Sequence, residues 1–336
     1  MNVFGGGESY AYACGMVAGL YGRLLRPGDM EAITQAGSVE EALSYLSGTE
    51  YGNNLRQLKP GFSLQDIEEA IASHFRSSYV EVAAAIPEGD KGIFDSIMLG
   101  GWDLNNLKTV VRCVRASAAK EDAMRMLFPL GRLGKPVLGE LLKSGEMAEM
   151  KGKAPSPYTE LFEKAFEKKD PLEFEEELDR SYLKGLLEEA GGDIGEYVRL
   201  LVDALNLRTI VRCAEYNIDP SKHIINEGHY ITANKLAQLS RQDKAGIIKT
   251  LEDTPYGKAV KETLSDAAGV RFESLDLRLR GVLNRETEYK AVHRPLSVNT
   301  VIAYVKKKEN EANNVRAVLA GKWFGLSPTE IGGILR

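Results

Sequence analysis

Three stretches of the sequence carry an acidic residue followed three positions later by an asparagine, and these pairs are the strongest candidates for chemistry. The pairs are Asp103 and Asn106, Asp203 and Asn206, and Glu311 and Asn314, which we call the first, second and third copies. A carboxylate and an amide one helical turn apart can hydrogen-bond on the same side of a helix. That combination suits either a ligand site or a polar pairing inside a helix interface.

The residues after each pair predict that its acid lies at a protein interface. At 100° per residue, aliphatic side chains gather on one side of a helix, namely Leu107, Val110, Val111 and Val114 in the first copy and Leu207, Ile210, Val211 and Ala214 in the second. Lys108 and Arg112 are expected to point away from that side, whereas Asp103 projects at its edge. Because an unpaired buried charge costs several kcal/mol, each acid is expected to have a cationic or hydrogen-bonding partner.

Helix capping is the alternative explanation for these acids. Two glycines just before Asp103 make a helix start plausible there. The runs 197–202 and 301–310, which precede the other two acids, already have helical periodicity, so capping does not account for those acids. We therefore interpret the three pairs as a repeated structural network rather than as ligand-binding residues.

Other groups that could do chemistry do not form a recognisable site. The phosphate-binding pattern Gly-x-x-x-x-Gly-Lys-Ser/Thr does not occur, and the run 131–136 has the wrong spacing for it. The four histidines, His74, His223, His229 and His293, have no metal-ligand spacing with cysteine. The sequence thus predicts no catalytic residue, no cofactor and no metal.

The interval between successive copies is as long as a small domain. Their asparagines are 100 and 108 residues apart, and each is preceded by a tyrosine that follows an amphipathic helix, at Tyr51, Tyr158 and Tyr256. Periodicity near 3.6 residues dominates, and no stretch suggests a sheet. The sequence therefore predicts an all-α protein with three pseudo-equivalent helical domains at 1–116, 117–217 and 218–336.

Net charge, cysteine content and hydropathy indicate which kinds of partner and compartment to expect. A net charge of −5 argues against a general nucleic-acid binder, because phosphate contacts need a basic face. Cys113 and Cys213 hold equivalent positions in separate repeats and Cys14 has no evident partner, which favours helix-packing cysteines in a reducing compartment. No signal-peptide pattern is present, and the most apolar stretch, 10–21, is too short to cross a bilayer. Any membrane association is expected to go through a partner protein.

Two groups of residues carry a likeness to known proteins. The first group is the two motifs 102–112 and 203–212, and the second is the C-terminal run 293–300, Tyr304, 308–316 and 325–331. These residues resemble the C subunits of the archaeal-type and bacterial V/A-type rotary ATPases, which are similar to the d subunit of the eukaryotic vacuolar enzyme. The resemblance covers about residues 8 to 336. The third copy departs from the family pattern, with Val315 in place of the usual leucine and Ala320 in the position of Arg112.

The resemblance implies a non-catalytic rotor adaptor whose three domains gather about a pseudo-threefold axis into a funnel. Its expected partners are the central-stalk subunits and the cytoplasmic loops of the membrane rotor ring of proteolipid subunits, with no nucleic acid and no membrane span of its own. Its expected location is the cytoplasmic face of the membrane, where it transmits torque during ATP-linked proton or sodium transport. A helical scaffold of an unrelated soluble complex is the alternative, because it would share the fold and the lack of motifs.

Overall fold

A computed structural model of the chain describes residues 9–128, 130–144, 147–168, 170–266 and 269–335, apart from the side chains of 147, 148 and 151. The helices are α1 Ala11–Tyr21, α2 Pro27–Gln35, α3 Val39–Leu46, α4 Gly52–Leu55, α5 Leu64–Ala83, α6 Glu88–Arg115, α7 Lys120–Met126, α8 Lys135–Leu142, α9 Met147–Lys153, α10 Tyr158–Ala165, α11 Pro171–Glu189, α12 Gly192–Tyr216, α13 Ala233–Leu239, α14 Lys244–Leu251, α15 Gly257–Leu264, α16 Phe272–His293, α17 Val298–Trp323 and α18 Pro328–Gly332. A 3₁₀ turn, Pro220–Lys222, lies between α12 and α13. Within the described ranges the only β-type pairing is an isolated bridge between Glu227 and Thr232, so the predicted all-α class is confirmed.

The three copies lie inside three of the longest helices. α6, α12 and α17 contain 28, 25 and 26 residues, and none of the three acids is at a helix end. Helix α6 passes through Gly100 and Gly101 without a break, so the capping alternative for Asp103 is wrong. Helix α12 ends at Tyr216, and the residue that caps it, Asn217, adopts the left-handed conformation with φ of 55°. Helix α17 is capped at its start by Ser297, whose hydroxyl accepts a hydrogen bond from the Asn299 N–H.

The chain divides into two compact units. Unit one comprises the described residues within Met1–Thr109, Ala118–Leu138 and Leu296–Arg336. Helix α17 packs there against α1, α2, α3, α5 and α18. Unit two comprises the described residues within Val110–Ser117 and Gly139–Pro295. The three domains predicted from the repeats, with ends at 116 and 217, stay a prediction.

The core of unit two shows how a motif helix is buried. One hydrophobic cluster joins the inward side of α12 to α13, α14, α15 and α16. Its α12 members are Leu207, Ile210 and Val211, all three of which belong to the apolar side predicted from the sequence. Ala214, the fourth residue of that side, is half-buried and packs against the same cluster. The motif helix is therefore packed against the segment that follows it in the chain.

All three cysteines are buried and unbonded to one another, as the sequence predicts. Cys14 lies on α1 in unit one, whereas Cys113 and Cys213 lie in unit two. Burial raises the pKa of each of the three thiols. They are packing residues in their present positions.

Candidate functional site: a repeated acid and asparagine network

The second copy shows the network most fully. Asp203 is completely buried on α12, and its two carboxylate oxygens accept hydrogen bonds from the backbone N–H groups of Tyr230 at 2.8 Å and Ile231 at 3.1 Å. The buried Tyr256 hydroxyl donates to the same carboxylate at 3.4 Å. The acid therefore holds the loop before α13 and the start of α15 to one point on α12. Among the described residues, no lysine or arginine forms an ion pair with Asp203.

Asn206 binds the same loop through a reciprocal pair of hydrogen bonds. Its Nδ2 donates to the Ile225 carbonyl at 2.7 Å, and the Ile225 N–H donates to its Oδ1 at 2.9 Å. The amide side chain thus satisfies both polar groups of one buried residue, which would otherwise lose hydrogen bonds to water. The asparagine and the acid bind the loop side by side and not each other.

The first copy repeats this geometry in unit one. Asp103 is also completely buried, and it accepts hydrogen bonds from the N–H groups of Arg132 at 3.0 Å and Leu133 at 2.8 Å. Asn106 exchanges two hydrogen bonds with Phe128, at 2.7 Å and 2.9 Å. In both copies the acid binds two consecutive backbone amides, and the asparagine binds a residue a few positions earlier in the same loop.

Two glycines make room for these carboxylates. A Cβ atom on Gly131 would lie 1.8 Å from Asp103 Oδ1, and one on Gly228 would lie 2.0 Å from Asp203 Oδ1. No side chain fits at either distance, so the loop can approach the acid only with glycine there. Sequence reasoning missed both glycines. Each glycine lies three positions after the residue bound by the asparagine, Phe128 or Ile225, and this relation becomes visible only once those hydrogen bonds are known.

The third copy keeps the acid but changes its partners. Glu311 is 8% exposed on α17, and it accepts hydrogen bonds from the Leu25 N–H at 2.5 Å and the Tyr51 hydroxyl at 3.0 Å. Its Oε1 also lies 2.6 Å from Nζ of Lys308, which is on the same helix and equally buried. The third copy is therefore an ion pair supported by two neutral donors. Asn314 lies one turn further along α17 and is half-buried.

Two of the three repeated tyrosines, Tyr51 and Tyr256, belong to this network, which the sequence did not reveal. Tyr51, Tyr158 and Tyr256 are all buried. Tyr256 of the third repeat reaches the acid of the second, and Tyr51 of the first repeat reaches the acid of the third. Each of these two tyrosines thus binds the acid of another repeat rather than the acid of its own.

Burial controls the electrostatics of these sites. Loss of water raises the pKa of Asp203 to about 6, although hydrogen bonds from the backbone of Tyr230, Ile231 and His229 and from the Tyr256 hydroxyl oppose the rise. Burial, together with the Asp203 charge, raises the pKa of Tyr256 far above its ordinary value, so that hydroxyl remains a donor. In the third copy, burial and the Lys308 charge lower the pKa of the neighbouring His74 to about 3, which keeps that ring neutral.

The basic residues of the motif connect each motif helix to another long helix. Arg208 lies 2.9 Å from Asp179 of α11, and Arg316 lies 2.8 Å from Glu68 of α5. Lys108, at the same position in the first copy, is half-buried rather than fully directed to solvent. Arg112 has an exposed side chain, as expected, and pairs with a glutamate of α11.

The described contacts of the repeated motif join one part of the chain to another. Among the described residues, no group of three histidine, cysteine, aspartate or glutamate side chains is placed to hold a metal ion. Over the same residues, no helix has both the length and the apolar character needed to cross a membrane. In the first two copies the acid and the asparagine satisfy backbone groups of one loop, and in the third copy Glu311 binds a backbone amide, a tyrosine hydroxyl and a lysine.

Comparison with known proteins identifies the family. The relatives include the C subunit of the A-type ATP synthase of Methanothermobacter thermautotrophicus, which is 26% identical over 93% of this chain and 84% of its own length. The proteins of the same name from Pyrococcus abyssi and Methanocaldococcus jannaschii are 25% and 24% identical, over 96% and 97% of this chain and 89% and 86% of their own lengths. On these matches the chain is a structural, non-catalytic subunit, as the sequence predicts. Because the family model for the ATP synthase (C/AC39) subunit matches residues 13–334, the chain belongs to that family.

Proposed function

We propose that this chain is the C subunit of a V/A-type rotary ATPase, in which it links the central stalk to the membrane rotor ring of proteolipid subunits. The observation that carries the proposal is the family match over residues 13–334, together with relatives named as C subunits of A-type ATP synthases that align over nearly the whole chain. In this role the protein turns with the stalk and the ring. It passes torque between ATP turnover and proton or sodium translocation.

The network of buried acids and asparagines supports a mechanical role. A part that transmits torque must resist twisting, and a buried polar network with every member satisfied makes a structure more rigid. Asp203 and Asn206 together fix one loop to α12 through two backbone hydrogen bonds each. We propose that the three repeats form three pseudo-equivalent domains about a pseudo-threefold axis, in a funnel with its wide end on the ring and its narrow end on the stalk.

Location follows from the same proposal. The protein lies on the cytoplasmic face of the membrane and is attached there by the proteolipid loops. Removal of the ring is expected to release it from membranes.

Depletion and reconstitution test the adaptor role. Membranes carrying the ATPase are stripped of this protein and the stalk by a low-salt wash, and the full-length chain is then added back with the stalk and the catalytic head. ATP-driven ion uptake is expected to require the chain, whereas ATP hydrolysis by the soluble head does not. Ion uptake that is equally fast without the chain would refute the coupling role.

Purification of the tagged chain separates the adaptor from the alternative scaffold. Detergent extracts of source membranes are expected to yield both stalk and proteolipid subunits with the tagged chain. Recovery of soluble proteins with neither of these would favour the scaffold of an unrelated complex.

A further inference from the structure

Helix α17 is attached along its length to the first helices of the chain. Near its start, Cys14 Sγ of α1 lies 3.4 Å from the Ser297 carbonyl. Near its end, Lys322 Nζ donates a hydrogen bond of 2.9 Å to the Thr34 carbonyl in α2. Glu311 lies between these points. Residues from the two ends of the sequence thus form one packed body within unit one.

Glu311 is the most strongly bonded of these points. Its carboxylate binds the backbone between α1 and α2 through Leu25 and the turn before α4 through Tyr51. Lys308 pairs with it and also lies over the Tyr51 ring, 4.8 Å from the ring centroid. Hydrogen bonds to an ionised acceptor are roughly twice as strong as those between neutral groups. A single buried carboxylate therefore holds two N-terminal segments on α17.

The third copy differs from the others in how much chain it closes. Asp203 binds an amide 28 residues further along, and Asp103 binds one 30 residues further along. Glu311 binds Leu25, which lies 286 residues back. A longer loop costs more conformational entropy to close. The added ion pair with Lys308 is present where the loop is longest.

We propose that α17 holds α1 to α4 in place within unit one and that Glu311 is the main point of attachment. The acid that fixes a following loop in the first two copies here binds Leu25 and Tyr51, so the segments from α1 to α4 are held in place by α17. Loss of the Glu311 contacts releases α1 from α17 before the rest of unit one unfolds. The N-terminal helices are thus the part of unit one that can detach first.

Native-state thiol labelling tests the attachment of α1 to α17 in the whole chain. Cys14 becomes reactive only when α1 leaves α17, while Cys113 and Cys213 in unit two serve as internal references. Each variant is exposed to N-ethylmaleimide in native buffer, and the modification of each cysteine is followed by mass spectrometry after digestion. Glu311→Gln is expected to accelerate labelling of Cys14 by roughly 10- to 100-fold and to leave the reference cysteines within about twofold. The matched control is Glu309→Gln, which removes an ion pair with Lys306 on the same helix and should leave Cys14 unchanged.

A gentler variant keeps the test decisive if Glu311→Gln does not fold. Tyr51→Phe removes only the hydroxyl that donates to the acid, and it is expected to accelerate labelling of Cys14 by roughly 3- to 10-fold. The proposal is overturned if neither variant accelerates Cys14 beyond the Glu309→Gln control. It is also overturned if all three cysteines accelerate together, because that result means global unfolding rather than release of α1.

Discussion

Replacement of Asp203 by alanine tests whether the buried acid stabilises the protein through its loop contacts. The change leaves the Ile231 N–H and the Tyr256 hydroxyl without an acceptor in a buried site, and the Tyr230 N–H without one in a half-buried site. A buried unsatisfied donor costs about 1 to 3 kcal/mol. The substitution also removes a carboxylate whose charge is costly to bury, and this gain offsets part of the loss. We expect a net loss of about 2 to 4 kcal/mol in the free energy of unfolding at pH 8.

The same variant has a pH dependence whose sign follows from the raised pKa. Asp203 titrates near 6 in the folded protein instead of at its ordinary 3.8, so the folded state binds more protons than the unfolded chain between these values. Its contribution to stability is full below the unfolded pKa and is lost as the pH rises through about 6. Between pH 5 and pH 8 the wild-type protein should lose about 1.4 kcal/mol from this group. The destabilisation caused by Asp203→Ala is therefore larger at pH 5 than at pH 8.

Urea unfolding at both pH values, followed by far-ultraviolet circular dichroism, measures these differences. Asp253→Ala is the matched control, because it removes an exposed carboxylate in the turn before Tyr256 and should change stability by under about 0.5 kcal/mol. If Asp203→Ala behaves like this control, the loop contacts do not stabilise the fold. A larger effect at pH 8 than at pH 5 would show that the folded protein lowers the pKa of Asp203, which contradicts a pKa raised by burial.

Three further substitutions test other parts of the network. Gly228→Ala should cost about 2 to 3 kcal/mol in the same urea assay, because its Cβ would occupy the position of a carboxylate oxygen. The control Gly185→Ala, in an open helical position, should be neutral or slightly stabilising. Asn106→Ala should cost about 1 to 3 kcal/mol, because it leaves both backbone groups of the half-buried Phe128 without their partner. Tryptophan fluorescence during unfolding should show this loss, and it should show a change under about 0.5 kcal/mol for Asn105→Ala at the exposed neighbouring position. Arg112→Ala removes an exposed ion pair, so it should cost under about 1 kcal/mol, and the difference should shrink when the unfolding is repeated in high salt.

Much of the fold class could be predicted because helical periodicity is local. The stripe Leu207, Ile210 and Val211 needed only their spacing to be assigned to one side of a helix, and that side is buried. The burial of the acids follows from the same angular argument, since Asp103 and Asp203 flank that stripe in their own copies. Family membership was accessible from the motifs and the C-terminal run, since these depend on residue identity alone.

The partners of the acids could not be predicted, because they depend on the path of distant segments. Nothing in the spacing around Asp203 indicates that it is satisfied by backbone amides of a loop 27 residues away rather than by a cationic side chain. The role of Gly228 was hidden for the same reason, since a glycine in a loop is ordinary until a carboxylate is placed against it.

The sequence by itself determined the helices, the register of the three acids within them and the family, because these depend on neighbours along the chain. Only the tertiary structure decided that Tyr256 binds the acid of the second copy and that Glu311 binds Leu25 and Tyr51. Closing 286 residues instead of 27 costs about 2 kcal/mol more in loop entropy. Packing along α17 and the Lys308 ion pair oppose that cost, and these interactions exist only once the two ends of the chain have met.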